Sequence, residues 1–291
     1  MLYELLIAPF YEFGFMARGL LGALFIALSA SSLGVFLILR RMSLVADSMS
    51  HAILPGVAAG FLIAGMSMAA MLLGGFIMGL LVAVVAGLVA RATQLKEEAS
   101  FAGFYLISLG LGVILVSLKG TNMDLLHVLF GSVLSLDDQG LLFIMVMSSL
   151  SIIILFMIYR PLIIDCLDPT FLRAEGGGGH ITHLVFLLLL VANLLAGFQV
   201  LGTLMVVGMM ILPALSARFL GKTVGWQIII AVFLGMLSSY IGMVFSYHIN
   251  VPTSASIILS AGVCYLLALS FGPYGGLWQH FKQQKRRKHI A

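Results

Sequence analysis

The sequence predicts an all-α membrane protein, a polytopic bundle of eight to nine transmembrane helices, from its composition and from the lengths of its apolar runs. Hydrophobic residues make up 62% of the 291-residue chain and charged residues only 9%, against roughly 25% charged residues in an average soluble domain. A soluble core has no room for that much apolar surface, whereas a bilayer requires runs of about 20 apolar residues. The 32 glycines agree with this class, because small residues let membrane helices approach closely.

The apolar runs are separated by charged residues or by breaks that contain Gly and Pro, and they predict the order of the spans. The predicted spans are residues 15–39, 43–65, 67–90, 100–118, 140–159, 182–198, 200–219, 225–248 and 253–272. The apolar segment 124–136 is too short to cross a bilayer, so it is predicted to be a re-entrant or interfacial helix. The chain is predicted to be one transmembrane domain, 1–291, with a cytoplasmic loop at 161–181 and a basic cytoplasmic tail at 281–291.

The basic residues predict the orientation, because Lys and Arg in short loops stay on the cytoplasmic side of a bilayer. If the loop after the first span is cytoplasmic, only Arg18 and Lys119 of the 15 basic residues lie outside. The basic tail then lies inside, where it is predicted to anchor the topology or to contact anionic lipids, and not to bind nucleic acid. The chain has no GxxxxGK[ST] phosphate-binding loop, so any nucleotide chemistry would have to come from a partner chain.

A single acidic residue, Asp47, lies inside a predicted span. A carboxylate in the membrane is costly, and as a rule it is retained only where it faces a pore, an ion or a counter-charge. His51 follows one helical turn later and lies on nearly the same face. Carboxylate and imidazole together suit zinc, manganese or ferrous iron. The pair is therefore predicted to supply two ligands of a metal pathway. The alternative is a polar pair whose members bond to each other, or to a neighbouring helix, and only fix packing.

Pro55 and Gly56 follow this pair and are predicted to open the helix beside it. Pro55 has no N–H with which to bond the carbonyl of residue 51, and Gly56 eases the bend. The freed carbonyl is expected to line a hydrated cavity.

The remaining histidines and cysteines are not expected to bind metal. His127 lies in the short apolar segment, and His183 and His248 lie near span ends, where histidines are expected to be solvated. Cys166, in a predicted loop, and Cys264, in a predicted span, form no CxxC pair and no disulfide framework. No permanently bound cofactor is predicted, so a divalent metal enters only as cargo.

The predicted cytoplasmic loop contains the signals of a short helix. Asp168 before Pro169 is a helix start with Pro at the first helical position, and the glycine at 176 is a stop signal. This helix is predicted to lie outside the membrane. It is either a simple connector or a docking element for a cytosolic protein.

Five sequence blocks, in order, resemble the permease subunits of zinc, manganese and iron ABC importers. These blocks are residues 34–61, with the Asp-xxx-His pair and a Pro-Gly, then 125–136, 168–176, 200–220 and 245–259. The resemblance covers most of the chain. One departure is the glycine run 176–179, where the family pattern has a single glycine followed by apolar residues.

The resemblance implies an ABC importer permease fold in the bacterial inner (plasma) membrane. It also implies three kinds of partner: a second permease copy, an extracytoplasmic metal-binding protein and a cytoplasmic ATP-binding subunit. Zinc is the expected cargo, with manganese and iron as alternatives, and the chain itself is expected not to be an enzyme. Asp47 and His51 match the family's metal-pathway motif. The residues implied to couple to the ATPase are Asp168, Pro169, Phe171, Arg173 and Gly176.

Three other functions are alternatives to this one. The first is an ABC permease for a metal chelate or a vitamin, which the Asp47 and His51 face disfavours. The second is a stand-alone secondary metal transporter, which the coupling-helix block disfavours. The third is an intramembrane enzyme, and the chain contains neither an HExxH motif nor a GxSxG-type nucleophile turn within a span.

Overall fold

The computed structural model describes residues 8–65, 67–118, 136–167, 179–274 and 276–278. Within these ranges the chain forms twelve α-helices and no strand, which confirms the predicted all-α class. The helices are α1 (Ala8–Glu12), α2 (Gly14–Leu39), α3 (Ser43–Ala52), α4 (Leu54–Ala64), α5 (Met68–Ala92), α6 (Glu97–Leu118), α7 (Asp138–Met157), α8 (Tyr159–Leu167), α9 (Gly179–Leu201), α10 (Thr203–Leu220), α11 (Val224–Ile249) and α12 (Thr253–Phe271).

Nine transmembrane spans occur in the described part of the chain, with α3 and α4 together forming one of them. The ends of the nine predicted spans all fall within three residues of the observed helix ends. The predicted re-entrant segment 124–136 lies outside the described residues except for its last position, and so does the predicted coupling helix, 168–176. The protein is therefore a multi-pass membrane protein.

The start of the predicted cytoplasmic loop 161–181 is helical, contrary to the sequence prediction. Pro161 indicated a break after the preceding span, but it lies in the first turn of α8, where a missing N–H costs nothing. Leu162 beside it is fully buried in the core. Burial of this apolar side chain stabilises a helix that the local pattern did not predict.

Helices α2 and α9 form the centre of the bundle. In their spans 72% and 78% of the residues are buried, against 22% to 33% in α5, α6, α7, α11 and α12. The central position of α2 depends on small residues. Gly34 lies so close to α10 that an added Cβ would be 1.7 Å from the carbonyl oxygen of Met210. The hydroxyl of Ser31 donates a 2.9 Å hydrogen bond to the carbonyl of Met209. Close backbone contact and interhelical hydrogen bonds are the forces that join helices within lipid.

The hairpin of α4 and α5 is another close contact between small residues. A Cβ added at Gly56 would lie 2.1 Å from the carbonyl oxygen of Gly74, and one at Gly60 would lie 2.3 Å from that of Ala70. These contacts hold α4 directly on α5. Gly56, expected to ease a bend, therefore also permits the approach of two backbones.

The two ends of the bundle carry different polar contacts. At one end the last turn of α2, the first turns of α6 and α9, and the amphipathic α8 come together through the side chains of Arg40, Glu97, Asp165 and His183. At the other end Arg18 forms a 3.1 Å ion pair with Asp138. Arg40 and Arg18 therefore lie at opposite ends of the bundle, and the sequence predicts the Arg40 end to be cytoplasmic.

Candidate metal site

Helix α3 brings Asp47 and His51 together on one face. The distance from Asp47 Oδ1 to His51 Nε2 is 3.9 Å, which is too long for a hydrogen bond. The Asp47 side chain is 59% exposed in the single chain and that of His51 is 30% exposed. The two side chains are therefore not bonded to each other as an internally satisfied polar pair. Both side chains are partly exposed, and Asp47 is the more exposed of the two.

The helix is interrupted immediately after this pair. Helix α3 ends at Ala52, and α4 begins at Leu54 with Pro55 in its first turn. The N–H of Gly56 bonds the carbonyl of Ile53 at 3.1 Å, so the carbonyl of Ala52 is left without the helical partner that it would normally have. The hydroxyl of Ser108 on α6 donates to that carbonyl at 2.9 Å. The interruption is thus stabilised by a neighbouring helix.

One face of α6 forms a wall beside the pair. The rings of Tyr105 and His51 are 6.2 Å apart, centroid to centroid. Gly112 lies against Pro55, at a position where an added Cβ would be 3.2 Å from the Pro55 ring. Sequence reasoning missed Tyr105, Ser108 and Gly112. Their spacing of three and four residues places them on one helical face, and that pattern of small and polar residues in an apolar span is the signal that identifies them.

Removing the Ser108 hydroxyl is expected to destabilise the protein modestly. In Ser108→Ala the Ala52 carbonyl is left unsatisfied, which costs about 1 kcal/mol when a hydrogen bond in a membrane protein is lost. Thermal unfolding in detergent measures the change. Ser270→Ala is the matched control, because Ser270 bonds only the carbonyl of Leu266 in its own helix. Equal unfolding temperatures for the two variants would contradict a stabilising role for Ser108.

No third metal-ligating side chain joins Asp47 and His51 among the described residues, where no cluster of three His, Cys, Asp or Glu side chains occurs. An ion held by this pair would need further ligands from water or from another chain. An incomplete set of protein ligands is typical of a site that must release its ion.

The other histidines have different surroundings. His248 is exposed at the end of α11, with its ring 5.2 Å from that of Tyr247. The expectation that His183 is solvated is wrong, because only 9% of its side chain is exposed and it contacts Arg40 and Glu97. Tertiary packing covers it with residues that are distant in sequence. His127 lies outside the described residues.

Comparison with known proteins gives one family match and several full-length relatives. The model of the ABC 3 transport family matches residues 12–272. The chain is 30% identical to the manganese transport system membrane protein MntC of Halalkalibacterium halodurans, over 96% of this chain and 95% of the relative. It is also 30% identical to a probable iron transport system membrane protein of Haemophilus influenzae, over 93% of this chain and 98% of the relative.

A solved structure has the same fold. The PsaBC structure from Streptococcus pneumoniae, determined in complex with a Fab, superposes with a TM-score of 0.83 at 28% identity. The superposition covers 94% of this chain and 98% of the other. The similarity therefore includes the α3 and α4 span and the helices that surround it.

Proposed function

This chain belongs to the ABC 3 transport family, and from that premise we propose that it is the permease subunit of an ABC importer whose cargo is a divalent metal ion. The observation that carries the proposal is the Asp47 carboxylate. It lies in an apolar span, more than half exposed on the single chain, with the His51 imidazole on the next helical turn. A carboxylate at such a position requires water, an ion or a partner chain.

Manganese and ferrous iron are the cargo that the site and the relatives favour. A carboxylate oxygen suits manganese, and an imidazole nitrogen suits iron and zinc. The two relatives described above carry manganese and iron in their names. We therefore rank manganese and ferrous iron ahead of zinc, which the sequence alone favoured.

In this proposal a second copy of the chain packs against the exposed face of α3 that carries Asp47 and His51. Two copies would bring two carboxylates and two imidazoles to one pathway, and these four groups would replace part of the hydration shell of the ion. When the two chains move apart, the metal ligands that they contribute also move apart. The affinity of the site for the ion can therefore fall without unfolding of either helix. This property is what an alternating-access pathway requires.

An ATP-binding subunit and an extracytoplasmic binding protein complete the proposed importer. The binding protein would deliver the ion from outside, and the ATP-binding subunit would dock on the stretch that contains Asp168, Pro169, Phe171, Arg173 and Gly176. That stretch joins α8 to α9, and both of these helices reach the end of the bundle that the basic residues predict to be cytoplasmic. ATP hydrolysis would occur on the partner, with this chain as the transport subunit.

Vesicle uptake tests the proposal directly. The full chain is reconstituted with its ATP-binding subunit and its binding protein, and uptake of Mn²⁺, Fe²⁺ and Zn²⁺ is measured with and without ATP. We expect ATP-dependent uptake of manganese or ferrous iron. The expected uptake requires this chain, the ATP-binding subunit and the binding protein together. The two partner proteins supply ATP hydrolysis and delivery of the ion, which are steps that this chain lacks.

The other outcomes would each contradict part of the proposal. Uptake of zinc alone would overturn the ranking of the metals. Uptake of a metal chelate, but not of the free ions, would identify a chelate permease. Metal uptake that needs neither ATP nor the ATP-binding subunit would identify a stand-alone transporter.

A further inference from the structure

Four polar side chains from four helices meet at the end of the bundle that is predicted to be cytoplasmic. Arg40, the C-cap residue of α2, forms a 2.5 Å ion pair with Asp165 of α8 and contacts His183 Nδ1 of α9. His183 Nε2 lies 2.7 Å from Glu97 Oε1 on α6. We call these four residues the Arg40 cluster. Only 8% of the Arg40 side chain and 9% of the His183 side chain are exposed.

The chemistry of the cluster determines how its members are protonated. A guanidinium only donates hydrogen bonds, so His183 Nδ1 is the acceptor in its contact with Arg40. His183 Nε2 lies close to Glu97 but forms no well-aligned hydrogen bond with it. The Arg40 guanidinium also lies over the ring of Phe186, 5.0 Å from its centroid. A guanidinium so enclosed depends on all of its partners, because a buried charge is tolerated only when it is compensated.

The Arg40 cluster is not a second metal site. His183 and Glu97 are ligand types, but the permanently charged Arg40 already occupies His183 Nδ1 and repels a cation. The neighbouring Cys166 is no substitute ligand, since burial raises the pKa of its thiol and Arg40 offsets that rise only in part. Asp165 is therefore the anionic partner of Arg40 on α8.

The cluster connects the two described ends of the proposed docking stretch. Asp165 lies in the last turn of α8, three residues before residue 168, and His183 lies in the first turns of α9, which begins at Gly179. Both contact the same guanidinium. Any movement of the docking stretch that shifts α8 relative to α9 must therefore change the contacts of Arg40.

The same cluster is joined to the helix of the candidate metal site in two ways, each through the chain neighbour of a cluster residue. First, Arg40 is followed by Arg41, whose φ of 58° is left-handed, and α3 begins two residues later at Ser43. Arg41 N–H bonds the carbonyl of Ile38, and Met42 N–H bonds that of Leu37, a Schellman turn in which glycine is the usual left-handed residue. A non-glycine residue in this region stores backbone strain.

The second connection is at the N-terminus of α3. Glu98, the neighbour of Glu97, accepts a 3.2 Å hydrogen bond from the backbone N–H of Leu44. Leu44 is in the first turn of α3, where a carboxylate interacts favourably with the helix dipole. A shift of the acidic pair at the start of α6 thus acts directly on the helix that carries Asp47.

We propose that Arg40 is the positioning residue that transmits movement of the docking stretch to α3, through Asp165 and His183 on one side and Glu97 and Glu98 on the other. The inference rests on the proposed function, because it assumes that an ATP-binding subunit docks between α8 and α9. The proposed route runs through packed polar contacts from four helices and not through the bundle core. Coupling of this kind needs contiguous contacts and an element with two arrangements.

The test compares five forms of the full chain, each assembled with the ATP-binding subunit in lipid nanodiscs. They are the wild type, Arg40→Gln, Arg40→Lys, Asp165→Asn and the control Arg18→Gln. Arg18 is also paired with an aspartate, but it lies at the opposite end of the bundle and its side chain is 41% exposed. The readouts are ATP hydrolysis and the deuterium exchange of residues 43–52, with and without ATP and vanadate. Manganese uptake is measured separately in vesicles with the binding protein.

In the wild type and in Arg18→Gln we expect ATP and vanadate to change the exchange of residues 43–52. In Arg40→Gln and Asp165→Asn we expect that change to be lost, with ATP hydrolysis retained and uptake reduced by about 10-fold, a typical size for coupling between sites. Arg40→Lys keeps the charge without the two-sided contact and is expected to recover part of the uptake. A residue that only stabilised the fold would lower hydrolysis, exchange response and uptake together.

Several outcomes would overturn the inference. A wild-type exchange response in Arg40→Gln would remove Arg40 from the route, and an equal loss in Arg18→Gln would show a general effect of the lost charge. If neither Arg40→Gln nor Asp165→Asn assembles, the cluster is only a structural contact.

The proposed function fails separately. A transmitted exchange response without metal uptake in the wild type would overturn the metal cargo and leave the route intact, whereas a wild-type chain that does not bind the ATP-binding subunit would overturn both.

Discussion

Replacing Asp47 with alanine is expected to reduce metal uptake by about 100-fold or more, because removing even an outer partner of a metal ligand costs about 10 to 100-fold in affinity. The folded permease should remain intact. Asp47 makes no hydrogen bond to His51, and its side chain is 59% exposed in the single chain, so its removal leaves no cavity. Vesicle uptake and thermal unfolding are measured on the same preparation.

The matched pair for this experiment is Asp47→Asn and Asp138→Asn. Both substitutions remove one carboxylate charge with little change in volume, but Asp138 pairs with Arg18 at the outer end of the bundle and is 84% exposed. We expect uptake to fall only in Asp47→Asn. If Asp47→Ala instead lowers the amount of folded protein while the uptake per folded molecule is unchanged, Asp47 serves packing and not transport.

Replacing Gly56 with alanine is expected to prevent normal packing of α4 on α5 and to reduce the yield of folded protein strongly. The added Cβ would lie 2.1 Å from the Gly74 carbonyl oxygen and 2.6 Å from the Met78 Cβ. A backbone carbonyl cannot rotate away as a flexible side chain can, so the helices must separate. Overpacking of this kind costs about 3 kcal/mol or more. The thermal unfolding temperature and the monodisperse yield in detergent measure the effect.

Gly103→Ala is the control for the glycine substitution. Gly103 also lies in a transmembrane helix, but an added Cβ would have no heavy atom within 4 Å. Replacing a helical glycine with alanine at such a site stabilises the helix by roughly 0.5 to 1 kcal/mol. If Gly56→Ala behaves like Gly103→Ala, the close contact of α4 with α5 is not required for folding.

The spans and the position of the metal-binding pair were predictable because they depend on short stretches of sequence. A helix that crosses a bilayer needs about 20 apolar residues, whatever its neighbours are. Nine such runs are visible in the sequence and all nine are helical in the structure. The placement of Asp47 and His51 on one face follows from the helical repeat alone.

Other features were not predictable because packing overrides the local pattern. Pro161 indicates a break, yet α8 forms around it because Leu162 is buried in the core. His183 lies near the end of a span, where a histidine is usually solvated, yet the neighbouring helices cover it. Ser108 belongs to a pattern of small and polar residues on α6, but only the packing of α6 against α3 shows that its partner is the Ala52 carbonyl. In each case the local structure or burial of the residue is determined by side chains or backbone groups from another part of the chain or from the packed core.

The sequence by itself determined the membrane class, the nine spans and the pair of potential metal ligands, since bilayer thickness and the helical repeat act over one or a few turns. Only the tertiary structure decided which polar groups meet. Arg40 finds Asp165 and His183 across separations of 125 and 143 residues, and these contacts exist because α8 and α9 pack beside the end of α2. No local sequence pattern predicts these long-range contacts. They depend on the small residues that set how closely, and at which level, the helices approach one another.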